Sequence, residues 1–391
     1  MARYLMAWEL GANLGHLMHL LPIADCLRTR GHEVKFCVPA HPSAEVMLRE
    51  RAYSYVVAPK FDATPMRHFV SYASVLQYAG FADFERLSRI VGEWRSLYET
   101  IKPDIVIADH APHAVLAARI SAVPVYLVGS GFSIPPSFTP FPPFRTWNPP
   151  KLRELEELDQ SILDTVNRVL VIEGAQPLTA LCKLLDVKGR FIWSYAELDH
   201  YEGRLPGDAH YVGHIFQEQA AEPPEWPDGS YRVFAYLRPD VPHALPLLEE
   251  LALAGFAVTA YAPGLDLQRL SPIARGKTRF ATSPVDLRIA GRDADLAVTY
   301  GSAGATNALV LQGVPVLMFP QQVEQLMLSR RIAGHGAGAV MIERAVGRYA
   351  QVSRRLVENA QIRRSAQALR DRFADRNSNA SLSALVAAID E

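Results

Sequence analysis

The chain has little cysteine, with only three residues of this type in 391 (Cys26, Cys37 and Cys182), and they are widely scattered. Three is an odd number and the spacing matches no zinc motif, so the sequence predicts neither a disulfide framework nor a structural metal site. The chain also lacks an apolar run long enough to span a bilayer, and its first residues lack the apolar region of a signal peptide. We therefore expect a cytoplasmic protein without an integral membrane segment.

The chain has no excess of charge of either sign, because 40 Lys and Arg residues face 41 Asp and Glu residues. A balanced composition predicts no basic surface for a phosphate backbone, and we expect no nucleic-acid partner. Hydrophobic residues make up 49% of the chain, which is enough for sizeable cores. The length exceeds that of one ordinary domain, so two domains are expected.

The first 38 residues have the pattern of a β-α-β unit. Residues 4–8 form an apolar strand, 17–28 have the spacing of an amphipathic helix and 33–38 form a second strand. This order predicts parallel strands with a right-handed crossover. Pro22 predicts a kink or a late start of the helix. The loop at 9–15 is not GxGxxG, which argues against a nicotinamide dehydrogenase.

Polar residues stand at the carboxyl ends of two predicted strands. His16 lies where the first loop enters its helix, and Asp109 ends the strand 103–109, followed by His110 and His113. Ligands of parallel sheets bind at this edge. A histidine there can act as a general base with a carboxylate as its partner, although His16 or Asp109 could instead cap a helix. His110 and His113 are rivals for the base, and without a fourth ligand we expect no metal.

Residues 133–150 contain seven prolines together with Phe138, Phe141, Phe144 and Trp147. Such a stretch predicts a long ordered loop, which either lines an apolar pocket or packs on the surface of its domain. Residues 216–230 are polar and rich in proline, which is typical of a linker.

Strand and helix patterns restart after this linker. We expect an N-terminal domain at 1–215, the linker at 216–230, a second domain at 231–375, and a terminal helix at 376–391 that could pack on the first domain. The predicted fold class is α/β, with two Rossmann-like parallel-sheet domains facing a central cleft.

The stretch 295–325 predicts a strand at 296–299, a loop of small residues at 301–304, a helix at 305–311, a strand at 314–319 and a polar loop at 321–325. Small residues let the backbone approach a ligand, and the N-terminus of a helix suits phosphate. The stretch therefore predicts a diphosphate-binding loop, or else an ordinary crossover without a ligand. Arg238, after the first strand of this domain, could meet a phosphate or pair with Asp240.

Together these segments resemble the GT-B-fold glycosyltransferases of the UDP-glycosyltransferase superfamily, which includes bacterial macrolide and other natural-product enzymes. The resemblance covers nearly the whole chain, with gaps in the variable regions. It is carried by the segments GANLGHLMHLLPIADCLRTRGHEVKF, PDIVIADHAPHAVLAARISAVPVYLV, RFATSPVDL and 295–325.

On this resemblance His16 falls on the catalytic base of the family and Asp109 on its partner aspartate. The residues expected to bind the donor are Arg238, Phe280, Pro284, Val285, Tyr300, Gly301, Ser302, Ala303, Gly304, Ala305, Glu324 and Gln325. Those expected to bind the acceptor are Gly15, His110, Phe132, Phe138 and Phe141. The family usually has a histidine where Tyr300 stands, and a tyrosine hydroxyl offers a hydrogen bond but no positive charge.

The resemblance implies an inverting, metal-independent hexosyltransferase of secondary metabolism. Such an enzyme moves a sugar from a UDP- or dTDP-linked donor to a hydroxyl of a small, apolar acceptor. It needs no cofactor beyond the nucleotide-sugar co-substrate, and a homodimer is compatible with it. Tyr300 leaves open a catalytically inactive auxiliary protein that activates a partner enzyme, and the shared fold leaves open a sugar-nucleotide epimerase.

Overall fold

The computed structural model describes residues 1–11, 14–214, 221–374 and 378–390. The chain divides into two compact units, which we call unit 1 (Met1–Ile215 with Ser378–Glu391) and unit 2 (Phe216–Asn377). Each unit contains one parallel sheet whose strands alternate with helices along the chain. This is the α/β class that the sequence predicted.

Unit 1 contains a seven-stranded sheet in the order β3-β2-β1-β4-β5-β6-β7, with every pair parallel. The strands are β1 (Arg3–Trp8), β2 (Glu33–Val38), β3 (Ser54–Val57), β4 (Ile105–Asp109), β5 (Val125–Gly129), β6 (Gly189–Ile192) and β7 (His210–Tyr211). The helices between them are α1 (Gly15–Thr29), α2 (Pro42–Glu50), α3 (Tyr72–Tyr78), α4 (Phe84–Ile101), α5 (Pro112–Ile120) and α6 (Leu152–Ile172).

Unit 2 contains a six-stranded sheet in the order β10-β9-β8-β11-β12-β13, again parallel throughout. Its strands are β8 (Arg232–Tyr236), β9 (Ala257–Tyr261), β10 (Thr278–Phe280), β11 (Leu296–Thr299), β12 (Val316–Met318) and β13 (Gly338–Val340). Its helices are α7 (Ala244–Leu253), α8 (Pro272–Lys277), α9 (Leu287–Asp293), α10 (Ala303–Val310), α11 (Val323–Gly334), α12 (Tyr349–Glu358) and α13 (Ala360–Asp371).

The last helix, α14 (Ser378–Asp390), belongs to unit 1. Its apolar residues Leu385, Val386 and Ile389 are buried in the same core as β1 and α1. Asp390 anchors its end, because its carboxylate accepts a hydrogen bond from the Tyr4 hydroxyl at 3.0 Å and pairs with Arg30 and His32. The C-terminal segment therefore completes the core of the N-terminal unit.

Helix α1 begins at Gly15 and continues through Pro22, so of the two predicted effects of Pro22 the late start is wrong. Residues Leu181–Leu185 form a short 3₁₀ turn. Of the predicted linker, residues 216–220 lie outside the described residues. Glu222 belongs to unit 2, where its N–H donates to the Pro284 carbonyl at 3.0 Å.

A buried ionic cluster holds the start of the proline-rich loop 133–150. Asp199 is fully buried and accepts hydrogen bonds from Nε of Arg204 and the hydroxyl of Tyr211, both at 2.6 Å. The other side of the Arg204 guanidinium donates to the Ile134 carbonyl at 2.7 Å and pairs with Asp208 at 3.0 Å. We call Asp199, Arg204, Asp208 and Tyr211 the loop-anchoring cluster.

Asp159 on α6 holds the middle of the same loop. Its Oδ2 accepts the Phe141 N–H at 3.0 Å, while its Oδ1 is buried without a hydrogen-bond partner among the described residues. Burial raises the pKa of the Asp159 carboxyl to about 6, although the Phe141 N–H acts in the opposite direction. The folded protein therefore retains this proton at a pH where the unfolded chain has lost it.

We expect Asp159 to make the protein less stable as the pH rises from about 4 to about 6. The unfolded carboxyl ionises near pH ~3.9 and the folded one near 6, so across this window the unfolded state is favoured progressively. Asp159→Asn keeps a carbonyl for the Phe141 N–H but cannot ionise. In this variant the decrease in the free energy of unfolding between about pH 4 and 6 that Asp159 causes should disappear. Urea unfolding at pH 4.5 and 7 measures it. Asp164→Asn, on the exposed face of the same helix, should leave the slope unchanged.

Candidate active site

The candidate site of unit 1 lies at the carboxyl edge of its sheet. Asp109 is the last residue of β4 and is paired in register with Trp8, the last residue of β1. Helix α1 begins a few residues after β1, so His16 and His19 lie in its first two turns on the same side of the helix. The parallel topology thus brings a carboxylate and two imidazoles together.

Each oxygen of the Asp109 carboxylate receives one of these imidazoles. Nδ1 of His16 lies 2.9 Å from Oδ1, and Nδ1 of His19 lies 2.7 Å from Oδ2. Because an ionised carboxylate can only accept, both imidazoles must donate from Nδ1, which leaves a lone pair on each Nε2 when the rings are neutral. His16 therefore has the tautomer that a general base requires.

Asp109 is ionised at neutral pH. Its side chain is fully buried, and this burial by itself raises the pKa of the carboxyl. The attraction of His16 and His19 and their two hydrogen bonds outweigh the burial and lower the pKa to about 2. The two imidazoles are 18% and 21% exposed, so a buried anion lies behind two rings that solvent can reach.

Aromatic rings and a glycine support His16. The indole of Trp8 stacks on its imidazole with ring centroids 5.5 Å apart. Gly11 has a φ of +92°, and a Cβ at this position would overlap Nε2 of His16. Only glycine allows the backbone to come this close in that conformation. The rest of this loop, residues 12 and 13, lies outside the described residues.

The structure separates the two rival histidines. His110 has a φ of +48°, and its ring lies 5.7 Å from that of His16. Burial, and then the nearby His16, lower the pKa of His110 to about 3, so it is neutral. His113 is buried in the core instead, where Nδ1 faces the Glu9 carboxylate at 3.3 Å and Nε2 donates to the Ala79 carbonyl at 3.0 Å. His113 is therefore a packing residue.

The predicted acceptor residues have different surroundings. Phe132 is brought to the site, since it meets His110 edge-on at 6.2 Å and packs on Phe144 at 4.9 Å. Gly15 begins α1 and has open space where a Cβ would stand. Phe141 lies one layer deeper, fully buried against Tyr72, and Phe138 is half-buried in the loop without a described contact to the histidines.

The small-residue loop of unit 2 connects β11 to α10. Gly301 has a φ of +84°, its N–H donates to Oγ1 of Thr299 at 3.1 Å, and a Cβ there would lie 2.6 Å from Oγ of Ser329. Ser302 is the N-cap residue of α10, and Ala303, Gly304 and Ala305 form its first turn. Gly304 is exposed, and no atom lies within 4 Å of the place where a Cβ would stand, so there is open space beside the first N–H groups of the helix, which have no intrahelical acceptor.

Glu324 and Gln325 do not lie in a loop, and this part of the sequence prediction is wrong. They belong to the first turn of α11, because the extended Gln322 acts as the N-cap two residues after Pro320. An acidic residue in a first turn is stabilised by the helix dipole. Oε1 of Gln325 accepts the Gln321 N–H at 2.8 Å, so this side chain also fixes the turn before its helix.

A row of aromatic residues follows the carboxyl edge of unit 2. Tyr236 ends β8 and lies between Tyr261 (5.6 Å) and Tyr300 (6.0 Å), and Arg238 lies over the Tyr300 ring at 5.7 Å. Arg238 also pairs with Asp240 at 3.0 Å. At the edge strand, Phe280 packs on the core, Val285 is buried and Pro284 is exposed.

The sequence reasoning missed His19, although a signal for it was present. His16 and His19 are three residues apart in an otherwise apolar helix, so they had to share one side of it. The described residues contain no group of three or more His, Cys, Asp or Glu side chains arranged to hold a metal ion. No helix in the described part of the chain is long and apolar enough to cross a membrane.

The sequence matches no protein-family model, and it matches no curated protein. Solved structures with a similar fold do exist. They include the spinosyn rhamnosyltransferase SpnG, with a TM-score of 0.68 and 18% identity over 100% of both chains. CalG4, the calicheamicin glycosyltransferase, has a TM-score of 0.74 and 15% identity over 100% of this chain and 98% of its own.

The glycosyltransferase VinC, solved with dTDP, has a TM-score of 0.67 and 17% identity over 99% of both chains. SpnG has also been solved with thymidine diphosphate and with spinosyn aglycone. Because the similarity extends over the full length of both chains, the protein has the GT-B fold of these glycosyltransferases.

Proposed function

We propose that this protein is an inverting, metal-independent glycosyltransferase that moves a sugar from a UDP- or dTDP-linked donor to a hydroxyl of a small, apolar acceptor. The observation that carries the proposal is the His16–Asp109 pair. It combines a solvent-accessible imidazole, protonated on Nδ1, with a buried carboxylate that is ionised at neutral pH.

In the proposed reaction, Nε2 of His16 takes the proton of the acceptor hydroxyl. The acceptor oxygen forms a bond to C1 of the sugar, while the bond from C1 to the diphosphate oxygen breaks and its electron pair leaves with the nucleoside diphosphate. A single displacement of this kind inverts the configuration at C1. Asp109 stabilises the imidazolium, which is the part that a carboxylate plays beside a catalytic histidine.

Unit 2 would bind the donor. The accessible N–H groups at the start of α10 suit the negative charge that develops on the leaving diphosphate. Tyr300 brings no charge to this region, but the Arg238 guanidinium lies over its ring. We infer that Arg238 supplies the positive charge for the diphosphate, and that Glu324 and Gln325 bind sugar hydroxyls from the first turn of α11.

The acceptor would lie against the aromatic residues of unit 1. The neutral His110 adjoins His16, Phe132 adjoins His110, and Gly15 leaves open space at the start of α1. Such a surface favours an apolar natural product over a charged one. Binding of thymidine diphosphate and of an aglycone by SpnG supports the same pair of substrate classes here. We expect the protein to work in the cytoplasm.

Thermal unfolding with a panel of UDP, dTDP, GDP and ADP tests the donor site. A nucleotide that binds only the folded protein raises the melting temperature, and at 100 times Kd it adds about 2.7 kcal/mol of stability. We expect a clear increase with UDP or dTDP. No increase with any nucleotide at millimolar concentration would contradict the donor site and favour the inactive auxiliary protein.

Arg238→Ala should weaken binding of that nucleotide diphosphate by about 10- to 100-fold, because hydrogen bonds to charged groups contribute ~1.5–3 kcal/mol. Binding of the corresponding nucleoside, which lacks phosphate, should change little. Arg292→Ala is the matched control, since Arg292 also pairs through Nε with a neighbouring aspartate, Asp293. Titration calorimetry measures all three proteins, and equal affinity of Arg238→Ala and the wild type would exclude the assigned contact.

A further inference from the structure

The proposed reaction uses only one oxygen of the Asp109 carboxylate. Oδ1 holds His16 at 2.9 Å, but Oδ2 accepts an equally direct hydrogen bond from Nδ1 of His19 at 2.7 Å. His19 lies one helical turn after His16 on α1, so a single helix presents two N–H donors to one carboxylate. The proposed reaction assigns no role to the imidazole of His19.

We propose that His19 is a positioning residue that fixes the Asp109 carboxylate, so that His16 is held as the Nδ1–H tautomer with its lone pair on Nε2. This inference rests on the proposed function, because it assigns His19 a part in the same general base.

A single hydrogen bond leaves the Asp109 carboxylate free to rotate. The terminal torsion of an aspartate is broad and has no strongly preferred angle, so one hydrogen bond does not fix the plane of the group. A second bond to the other oxygen removes this freedom. Gly129, at the end of β5, lies against the same group, since a Cβ there would lie only 2.8 Å from Oδ1 and glycine leaves the carboxylate room. With His19 in place, the carboxylate has one orientation.

Burial makes the hydrogen bond from His19 hard to replace. Asp109 is fully buried, so solvent cannot replace a lost partner of Oδ2. Without His19, this charged oxygen would remain without a hydrogen bond, which is strongly unfavourable. The carboxylate would then turn to share the one remaining imidazole between its two oxygens. That movement would bend the hydrogen bond from Nδ1 of His16, and a bent, weaker bond holds the Nδ1–H tautomer and the position of the ring less firmly.

His19 is itself held independently of His16. Its ring stacks on that of Trp193 with centroids 5.9 Å apart and an angle of 15° between the planes. Trp193 is buried and follows β6, and its backbone N–H donates to the Gly129 carbonyl at 2.8 Å. His16 rests instead on Trp8 of β1. Each imidazole therefore packs on a different tryptophan, so the two N–H donors are positioned independently on either oxygen of Asp109.

The experiment is ¹⁵N NMR of the histidine side chains in the wild type, His19→Phe and His19→Asn. Phenylalanine keeps a ring on Trp193 but has no N–H, whereas asparagine places an amide N–H close to where Nδ1 stands. We expect His16 to be protonated on Nδ1 in the wild type and in His19→Asn. In His19→Phe the population of this tautomer should fall, because the carboxylate still accepts from Nδ1 but with poorer geometry.

The kcat values of the variants should follow the same order as the population of the Nδ1–H tautomer of His16. We expect His19→Phe to lower kcat by about 10²-fold with little change in KM, since small errors in the placement of a catalytic group cost rate rather than binding. His19→Asn should recover most of that loss. His210→Phe replaces a histidine that stacks on Phe191 elsewhere in the sheet, and it should change neither the tautomer nor kcat.

The inference is overturned if His19→Phe keeps both the Nδ1–H tautomer of His16 and the wild-type kcat. If His19→Phe does not fold, an Nε2–H tautomer of His16 in His19→Asn or in the wild type overturns it equally. The NMR measurement needs no turnover. A protein that proved unable to transfer sugar would contradict the proposed function while leaving the test of His19 intact.

Discussion

Replacing His16 with alanine is expected to lower the rate of glycosyl transfer by about 10²- to 10⁴-fold, the usual contribution of a general base. The acceptor hydroxyl would then lose its proton only to solvent. Nucleotide binding should survive, because in our proposal the donor is held by residues of unit 2. The pKa of Asp109 is about 2, so its carboxylate stays ionised at any pH suited to the assay. Protonation of Asp109 therefore does not explain a loss of transferase activity at mildly acidic pH.

The measurement combines initial rates of transfer with nucleotide affinity by calorimetry for the same protein sample. His68→Ala is the control, because His68 is an exposed histidine of unit 1 that is distant from His16 in the sequence. Its rate of transfer and its nucleotide affinity should equal those of the wild type. Loss of transfer and of nucleotide binding to the same extent would indicate a general structural effect, and it would remove His16 from the role of base.

Replacing Arg204 with methionine is expected to cost about 3–5 kcal/mol of the free energy of unfolding, as is typical when one partner of a buried ion pair is removed. Methionine roughly matches the length of the side chain but carries no charge. It would leave the buried Asp199 with the Tyr211 hydroxyl and the Tyr201 N–H as its partners, and the Ile134 carbonyl without its donor. The start of the proline-rich loop should loosen with it.

Arg153→Met is the matched control, since Arg153 forms an exposed pair with Glu157 on α6. Exposed pairs of this kind contribute about 0.2–1 kcal/mol. Equilibrium urea unfolding, followed by a probe in unit 1, compares the two variants with the wild type. Similar losses for Arg204→Met and Arg153→Met would show that the loop-anchoring cluster contributes little to stability.

Much of the fold could be predicted from the sequence because its signals are local. Strand β2 at 33–38 and β11 at 296–299 have the predicted bounds, since each is a largely apolar run between turn residues. The His16–Asp109 contact followed from the same reasoning. Both residues stand at the carboxyl ends of parallel strands, and strands β1 and β4 prove to be neighbours.

Boundaries failed where two local signals compete. Pro320 and the glutamines after it favour a loop, but one turn later the chain has good helix formers, and α11 begins at Val323. Glu324 and Gln325 thus belong to a helix. Pro22 likewise favours a late helix start, but packing of the apolar face of α1 in the core of unit 1 outweighs the missing N–H.

The sequence by itself determined the alternation of strands and helices, the small-residue loop before α10 and the set of polar residues at the two sheet edges. Only the tertiary structure decided which of those polar residues meet. It joined His19 to the second oxygen of Asp109, buried His113 against Glu9, and placed Arg238 over Tyr300. The physical reason is that spacing along a strand or helix fixes which side of the element a residue occupies. The direction and distance of side chains on different elements depend on strand order and packing, which no local pattern records.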